Sequence, residues 1–186
     1  MRSILPEQEN PALREIAQPV DPGEITSPRI KSLISDMRTL LGMEKHGVAI
    51  AASQVGEPLQ LFIVSGRALS ERDSEDDSKE PKKIHKLQQA QPDQVYINPA
   101  LIKLSRAKKE KHEGCLSIRG YWGMVPRADK ATVTAYDEHG KKFTRGASGF
   151  LAHIFQHEID HLNAVLYTDK ATKLYSDSEE DHEQND

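Results

Sequence analysis

The sequence predicts an α+β fold. Two observations carry this: one helix-period segment that is apolar almost all round, and a series of short β-branched segments set between polar turns. The helical segment runs from 149 to 162. Phe150, Leu151, Ile154, Phe155, Ile159 and Leu162 recur at spacings of three and four and cover more than a narrow stripe, which marks a central, largely buried helix. Ser148 is placed to cap its start and Asn163 to stop it.

The other elements follow in chain order. Asn10-Pro11 reads as a cap and first helical residue of a short helix ending near Ala17, and Ser27-Pro28 repeats the device. There Ile30, Leu33, Ile34, Met37, Leu40 and Leu41 keep helical spacing up to about Gly42. Residues 47–56 are small, closed by the amide of Gln54, and suit either a tightly packed loop or a loop that lets a substrate backbone approach. Strands are expected at 59–64 and 95–98, where Pro99 closes the second, with a continuation at 101–104 after a kink. Between them, residues 67–93 are so rich in Ser, Glu, Asp, Lys and Gln that a polar, partly disordered surface insertion is expected. The basic cluster at 108–111 reads as a solvated turn, 124–127 and 131–136 as strands, and 137–140 as a hairpin turn. An edge strand is expected at 165–167. Residues 1–172 thus form a single expected domain, and the polar, acidic residues 173–186 a disordered tail.

Charge and composition narrow the function classes. A formal net charge of −4 and no long basic stripe argue against nucleic acid. No apolar run reaches the roughly 20 residues that span a bilayer, and no signal-peptide pattern opens the chain. Cys115 is the only cysteine, so no intrachain disulfide can form. A cytoplasmic protein without membrane contact is expected.

The chemistry is concentrated in His157-Glu158-Ile159-Asp160-His161, an HExxH motif on the central helix. At ~3.6 residues per turn the two histidines share one face and can converge on a metal ion, with Glu158 beside them as a general base toward water. A catalytic divalent site normally takes three protein ligands and keeps one position open. The spacing that supplies a downstream third histidine fails here, because Ala164 and Tyr167 stand at the required positions, and Glu179 and Glu180 lie in the polar tail. His153 lies two turns before His161, too far along the axis to share the ion, and reads as a pocket wall or a satisfied core histidine. Cys115 remains, and a Cys-His-His set is chemically sensible for a divalent cation.

Three stretches together carry a family resemblance. Residues 47–54 (GVAIAASQ), 113–117 (EGCLS) and 157–161 (HEIDH) resemble, in order and spacing, the GxGxAAxQ, EGCLS and HExxH motifs of peptide deformylases. The likeness extends from about Pro11 to about Asp169, apart from the insertion. It implies antiparallel sheets wrapped around the HExxH helix, and hydrolysis of the N-formyl group from the formyl-methionine of nascent polypeptides, which emerge at the ribosome. Carried over by position, it makes Cys115, His157 and His161 ligands of one divalent ion, with Fe2+ favoured and Zn2+, Ni2+ or Co2+ as alternatives. It makes Glu158 the acid/base, and Gln54 and the Leu116 N–H the oxyanion donors. It places Gly47, Val48, Ala49, Glu113, Gly114 and His153 at the substrate, with Val48 and His153 as walls of the methionine pocket. Glu113 either orients a ligand histidine or pairs with neighbouring lysines.

Ala49 departs from the pattern, standing where the second glycine is expected. A methyl group there is expected to narrow the cleft. Two other readings stay open at this level: a zinc endopeptidase using the same HExxH, and a deformylase-like protein whose activity is altered or lost.

Overall fold

The computed structural model describes residues 2–70 and 91–176. The middle of the expected insertion and the end of the tail lie outside them. Helix α1 spans Pro28–Met43 and begins as expected, with the Ser27 hydroxyl accepting from the Ile30 N–H at 3.3 Å. Strand β1 is Ala49–Ala51, followed by a 3-10 turn at Ala52–Val55 and by Gly56 in the left-handed region at φ 80°. Strand β2 (Leu61–Val64) leads into a short helix, α2 (Gly66–Ser70). Strands β3 (Gln94–Leu104), β4 (Lys108–Cys115), β5 (Ile118–Ala128), β6 (Lys130–Tyr136) and β7 (Lys142–Ser148) then follow in succession. The central helix α3 spans Gly149–Leu162, and α4 (Tyr167–Lys170) and β8 (Lys173–Ser176) complete the described chain.

Both sheets are antiparallel. One has the order β1-β2-β3-β6-β7, the other β4-β5-β8. Alternation along β2 explains how the larger sheet is covered. Leu61 and Ile63 pack with Ile30, Leu33, Met37 and Leu41 of α1, whereas Phe62 and Val64 pack with Leu151, Phe155 and Leu162 of α3. Every residue of β2 is therefore buried. The Phe62 and Tyr96 rings stack at 4.6 Å, and Phe155 meets Tyr96 edge-on at 5.2 Å, fixing α3 on the sheet.

Several expectations need correction. The segment after Asn10 is a 3-10 turn, Pro11–Arg14, because the Asn10 side chain donates to the Ser53 carbonyl and Ala17 pairs with Leu162. Ser148 makes no side-chain cap to α3; it ends β7, and Gly149 at φ 57° turns the chain into the helix. Asn163 is not left-handed either. Ala164 takes that conformation at φ 61°, while the Asn163 amide donates to the Ile159 carbonyl. Residues 108–111 are strand, paired with 125–128, and β7 was not foreseen. Residues 165–167 form no strand: Asp169 accepts from the Leu166 N–H and starts α4 instead. The expected insertion begins as helix, with Ala68 and Leu69 buried, and the expected tail begins as β8, paired with β5. The kink in β3 is real. Asn98 sits at φ 49° and the register against β6 shifts beyond Ile97. Among the described residues no helix is long and apolar enough to cross a membrane.

Candidate active site

Cys115 ends β4, and His157 and His161 lie one turn apart on α3. The β4–β5 hairpin lies against the helix. Among the described residues these three form the one group whose donor atoms could hold a metal ion, all within 4.8 Å of one another. The Cys115 Sγ and His161 Nε2 atoms are 3.4 Å apart. Donors bound tetrahedrally at ~2.0–2.3 Å from one ion stand about 3.3–3.8 Å apart, so the set fits a divalent cation.

Behind His157 lies a network that orients it. Its Nδ1 is 2.8 Å from Glu113 Oε2, and because a carboxylate only accepts, Nδ1 carries the proton and leaves the Nε2 lone pair for a metal. Glu113 also meets Arg127 through two hydrogen bonds, at 2.5 and 2.9 Å, and His153 Nε2 at 2.9 Å. Burial alone would push the Glu113 carboxyl up. The hydrogen bonds from Arg127, His153 and His157 outweigh it and hold the group well below the usual carboxylate range. Arg127 is itself buried and reaches Asp160 of α3 at 2.5 Å, so the network ties β4, β5 and α3 together.

Burial lowers the His153 pKa against the opposing pull of Glu113, so its neutral ring donates to that carboxylate while also lining the cavity. Burial likewise holds His161 well below the ordinary value. His157 is equally buried but is raised well above it, because the neighbouring Cys115 and Glu113 outweigh desolvation.

In front of Cys115 and His157 lies a cavity of about 580 Å³. Gly47, Val48, Ala49, Gln54, Glu113, Gly114, Cys115, Leu116, His153, His157 and Glu158 all line it, whereas His161 sits behind, 1% exposed. Glu158 is 4% exposed, and its Oε2 has no hydrogen-bond partner among the described residues. Burial raises its pKa to about 7, against the opposing effect of His157. The Gln54 amide is oriented by its own turn: Oε1 accepts from the Ala51 N–H at 2.9 Å, which turns Nε2 toward Cys115 Sγ at 3.4 Å and Ser117 Oγ at 3.5 Å. Leu116 occupies the turn between β4 and β5.

The glycines have steric reasons. A Cβ on Gly47 would come 2.8 Å from Glu44 Cβ, and one on Gly114 2.7 Å from the Trp122 ring. Sequence reasoning missed Arg127 and Trp122. Nothing local separates Arg127 from a surface arginine, since its partners lie 14 and 33 residues away.

Comparison with known proteins agrees with this geometry. The family model described as Polypeptide deformylase matches residues 1–177. "Peptide deformylase 1A, chloroplastic/mitochondrial" of Arabidopsis thaliana is 40% identical over 163 residues, covering 87% of this chain; the chain spans 58% of that relative's length. A peptide deformylase of Psychrobacter cryohalolentis is 35% identical over 165 residues, covering 89% of this chain and 77% of the relative. The Met-Ala-Ser-bound class I type b peptide deformylase of Acinetobacter baumannii superimposes with a TM-score of 0.73 at 28% identity, covering 91% of this chain and 98% of that one. With Cys115, His157 and His161 gathered beside Glu158, the chain belongs to the polypeptide deformylase family of metal-dependent hydrolases.

Proposed function

We propose that this chain removes the N-formyl group from peptides that begin with formyl-methionine, releasing formate and a free amine. One observation carries the reading: a three-donor metal set borders, through Cys115 and His157, the same cavity that is lined by a buried carboxylate with an unpartnered oxygen and by an oriented amide. Cys115, His157 and His161 would hold a divalent ion, Fe2+ by resemblance, although Zn2+, Ni2+ and Co2+ suit the same donors. When bound, the ion supplies Lewis acidity that polarises the formyl oxygen and lowers the pKa of water.

The remaining work falls to the chain. Glu158 takes a proton as the water oxygen bonds to the formyl carbon, and returns it to the nitrogen as the C–N bond breaks. The Gln54 Nε2–H and the Leu116 N–H donate to the oxygen that gains negative charge. Glu113, clamped by Arg127, keeps the His157 ring in its tautomer. Gly47, Val48, Ala49 and Gly114 offer a peptide backbone a close approach, and His153 with Val48 would flank the methionine side chain. We read residues 1–172, together with β8, as one catalytic domain. Nascent chains emerging at the ribosome are the implied substrate, with the cytoplasm as the compartment. The Arabidopsis relative is, by its name, a chloroplast and mitochondrial protein.

The test follows formate and amine release from formyl-Met-Ala-Ser, beside internal cleavage of an unformylated peptide. Formate in step with amine is the expected result. Internal cleavage without formate would replace this reading with an endopeptidase.

A further inference from the structure

We infer that Trp122 is a specificity-determining residue, an aromatic wall that favours large apolar or aromatic side chains following the methionine of the substrate. This rests on the function proposed above. Trp122 lies on β5, half-buried, and lines the same cavity as Cys115 and Glu158. Its indole is held in place. The ring lies so close to Gly114 that any side chain there would collide with Cζ3, Cε3 and Cη2. It stacks on His112 at 4.9 Å with 16° between the planes, and Tyr175 of β8 is its register partner. Tyr175 in turn packs on His112 at 5.2 Å.

The position of this wall decides what it can read. The α3 side of the cavity carries His153 and Phe150, with Val48, just before β1, also on the cavity lining, and is the side assigned to methionine. Trp122 belongs to the β4–β5 side, its ring packed into the space that a side chain on Gly114 would need. A chain leaving the methionine side past Gly114 meets the indole with its next residues. Of the charged side chains that line the cavity, Glu44 and Arg119 pair at 2.6 Å, and Lys45 adds a positive charge that repels no apolar side chain. Stacking of an aromatic side chain on an ordered indole favours it over alanine by roughly 3- to 10-fold.

Trp122 is the only tryptophan in the chain, so its fluorescence reports on this wall alone. The metal-loaded protein is titrated with Met-Phe-Ser and Met-Ala-Ser, and kcat/KM is measured for the two formylated peptides. A saturable change in emission is expected, with affinity and kcat/KM both roughly 3- to 10-fold in favour of the phenylalanine peptide. Trp122→Ala should bring the ratio of the two kcat/KM values toward one, mainly through KM, and Trp122→Phe should restore much of it. Equal values for the two peptides in the native protein, or an unchanged ratio in Trp122→Ala, would overturn the proposal. Should Trp122→Ala fail to fold, unchanged emission at peptide concentrations that inhibit turnover would overturn it equally. Emission changes that favour Met-Phe-Ser while neither formyl peptide releases formate would support the wall and remove the proposed reaction instead.

Discussion

Glu113 and Glu158 are two buried carboxylates near His157, and their surroundings could hardly differ more. Glu113 is met by Arg127, His153 and His157 and is held well below the usual range. Glu158 has an unpartnered oxygen at the cavity and is pushed up to about 7. Environment, not residue type, divides the labour. A carboxylate fixed on every side can orient a neighbour but has no freedom to exchange a proton, whereas one short of partners can do so at neutral pH. Behind the ligands the site is a closed, satisfied network; in front it is left chemically open.

The largest effect should come from the open side. Glu158→Gln keeps the shape and removes the proposed base, so kcat/KM should fall by roughly 10²- to 10⁴-fold while metal content, read by elemental analysis, stays at that of the native protein. Loss of the metal in this variant would place Glu158 among the ligands and erase the contrast with Glu113. Arg127→Met probes the closed side. It leaves the Glu113 charge buried without its cation, which should cost about 3–5 kcal/mol in urea denaturation and weaken metal binding roughly 10- to 100-fold. Native stability with lowered activity alone would mean that Arg127 supports the reaction and not the framework.

His153→Leu is a milder cut into the same network. It removes one hydrogen bond from Glu113 but leaves Arg127 in place, so a loss of about 1–3 kcal/mol is expected. Metal content should be nearly unchanged. If this variant lost metal as completely as Arg127→Met, the orientation of His157 would depend on His153 and not on the Arg127 clamp.

The two sides were unequally legible in the sequence. The open side was readable because helical spacing alone brings His157, Glu158 and His161 together, and because short contiguous motifs carry Cys115 and Gln54. The closed side depends on pairings across sheets: Glu113 meets an arginine on the next strand and two histidines on α3. Glu113 therefore left two readings open, and the His153 side chain gave no sign of its bond. The fold shows the same limit. A continuous apolar run revealed β2 and apolar alternation revealed β6, but β7, made of Lys, Phe, Thr, Arg, Gly, Ala and Ser, has too weak a pattern and forms because its whole length pairs with β6. Ser148 and Asn163 followed good capping rules, yet a strand reaching up to Gly149 and a left-handed Ala164 settled both helix ends.

The smallest expected effect sharpens the comparison at the floor of the open side. From the sequence, Ala49 in place of a glycine is expected to narrow the cleft, so that Ala49→Gly would raise kcat/KM. In the structure Ala49 is an ordinary member of β1, paired with Val64, and its φ is not positive. No glycine dihedral is needed there. It is 6% exposed and belongs to the same apolar cluster as Phe62, Val64 and Phe155, so its methyl group fills core space as well as bordering the cavity. Glycine would add unfolded-chain entropy and remove that packing, a loss of about 1 kcal/mol. Thermal denaturation should show the lower stability, and steady-state kinetics at matched metal content should show no gain in kcat/KM. A clear gain would mean that the methyl group restricts the substrate after all, and that the open side of the site is held tighter at β1 than its packing implies.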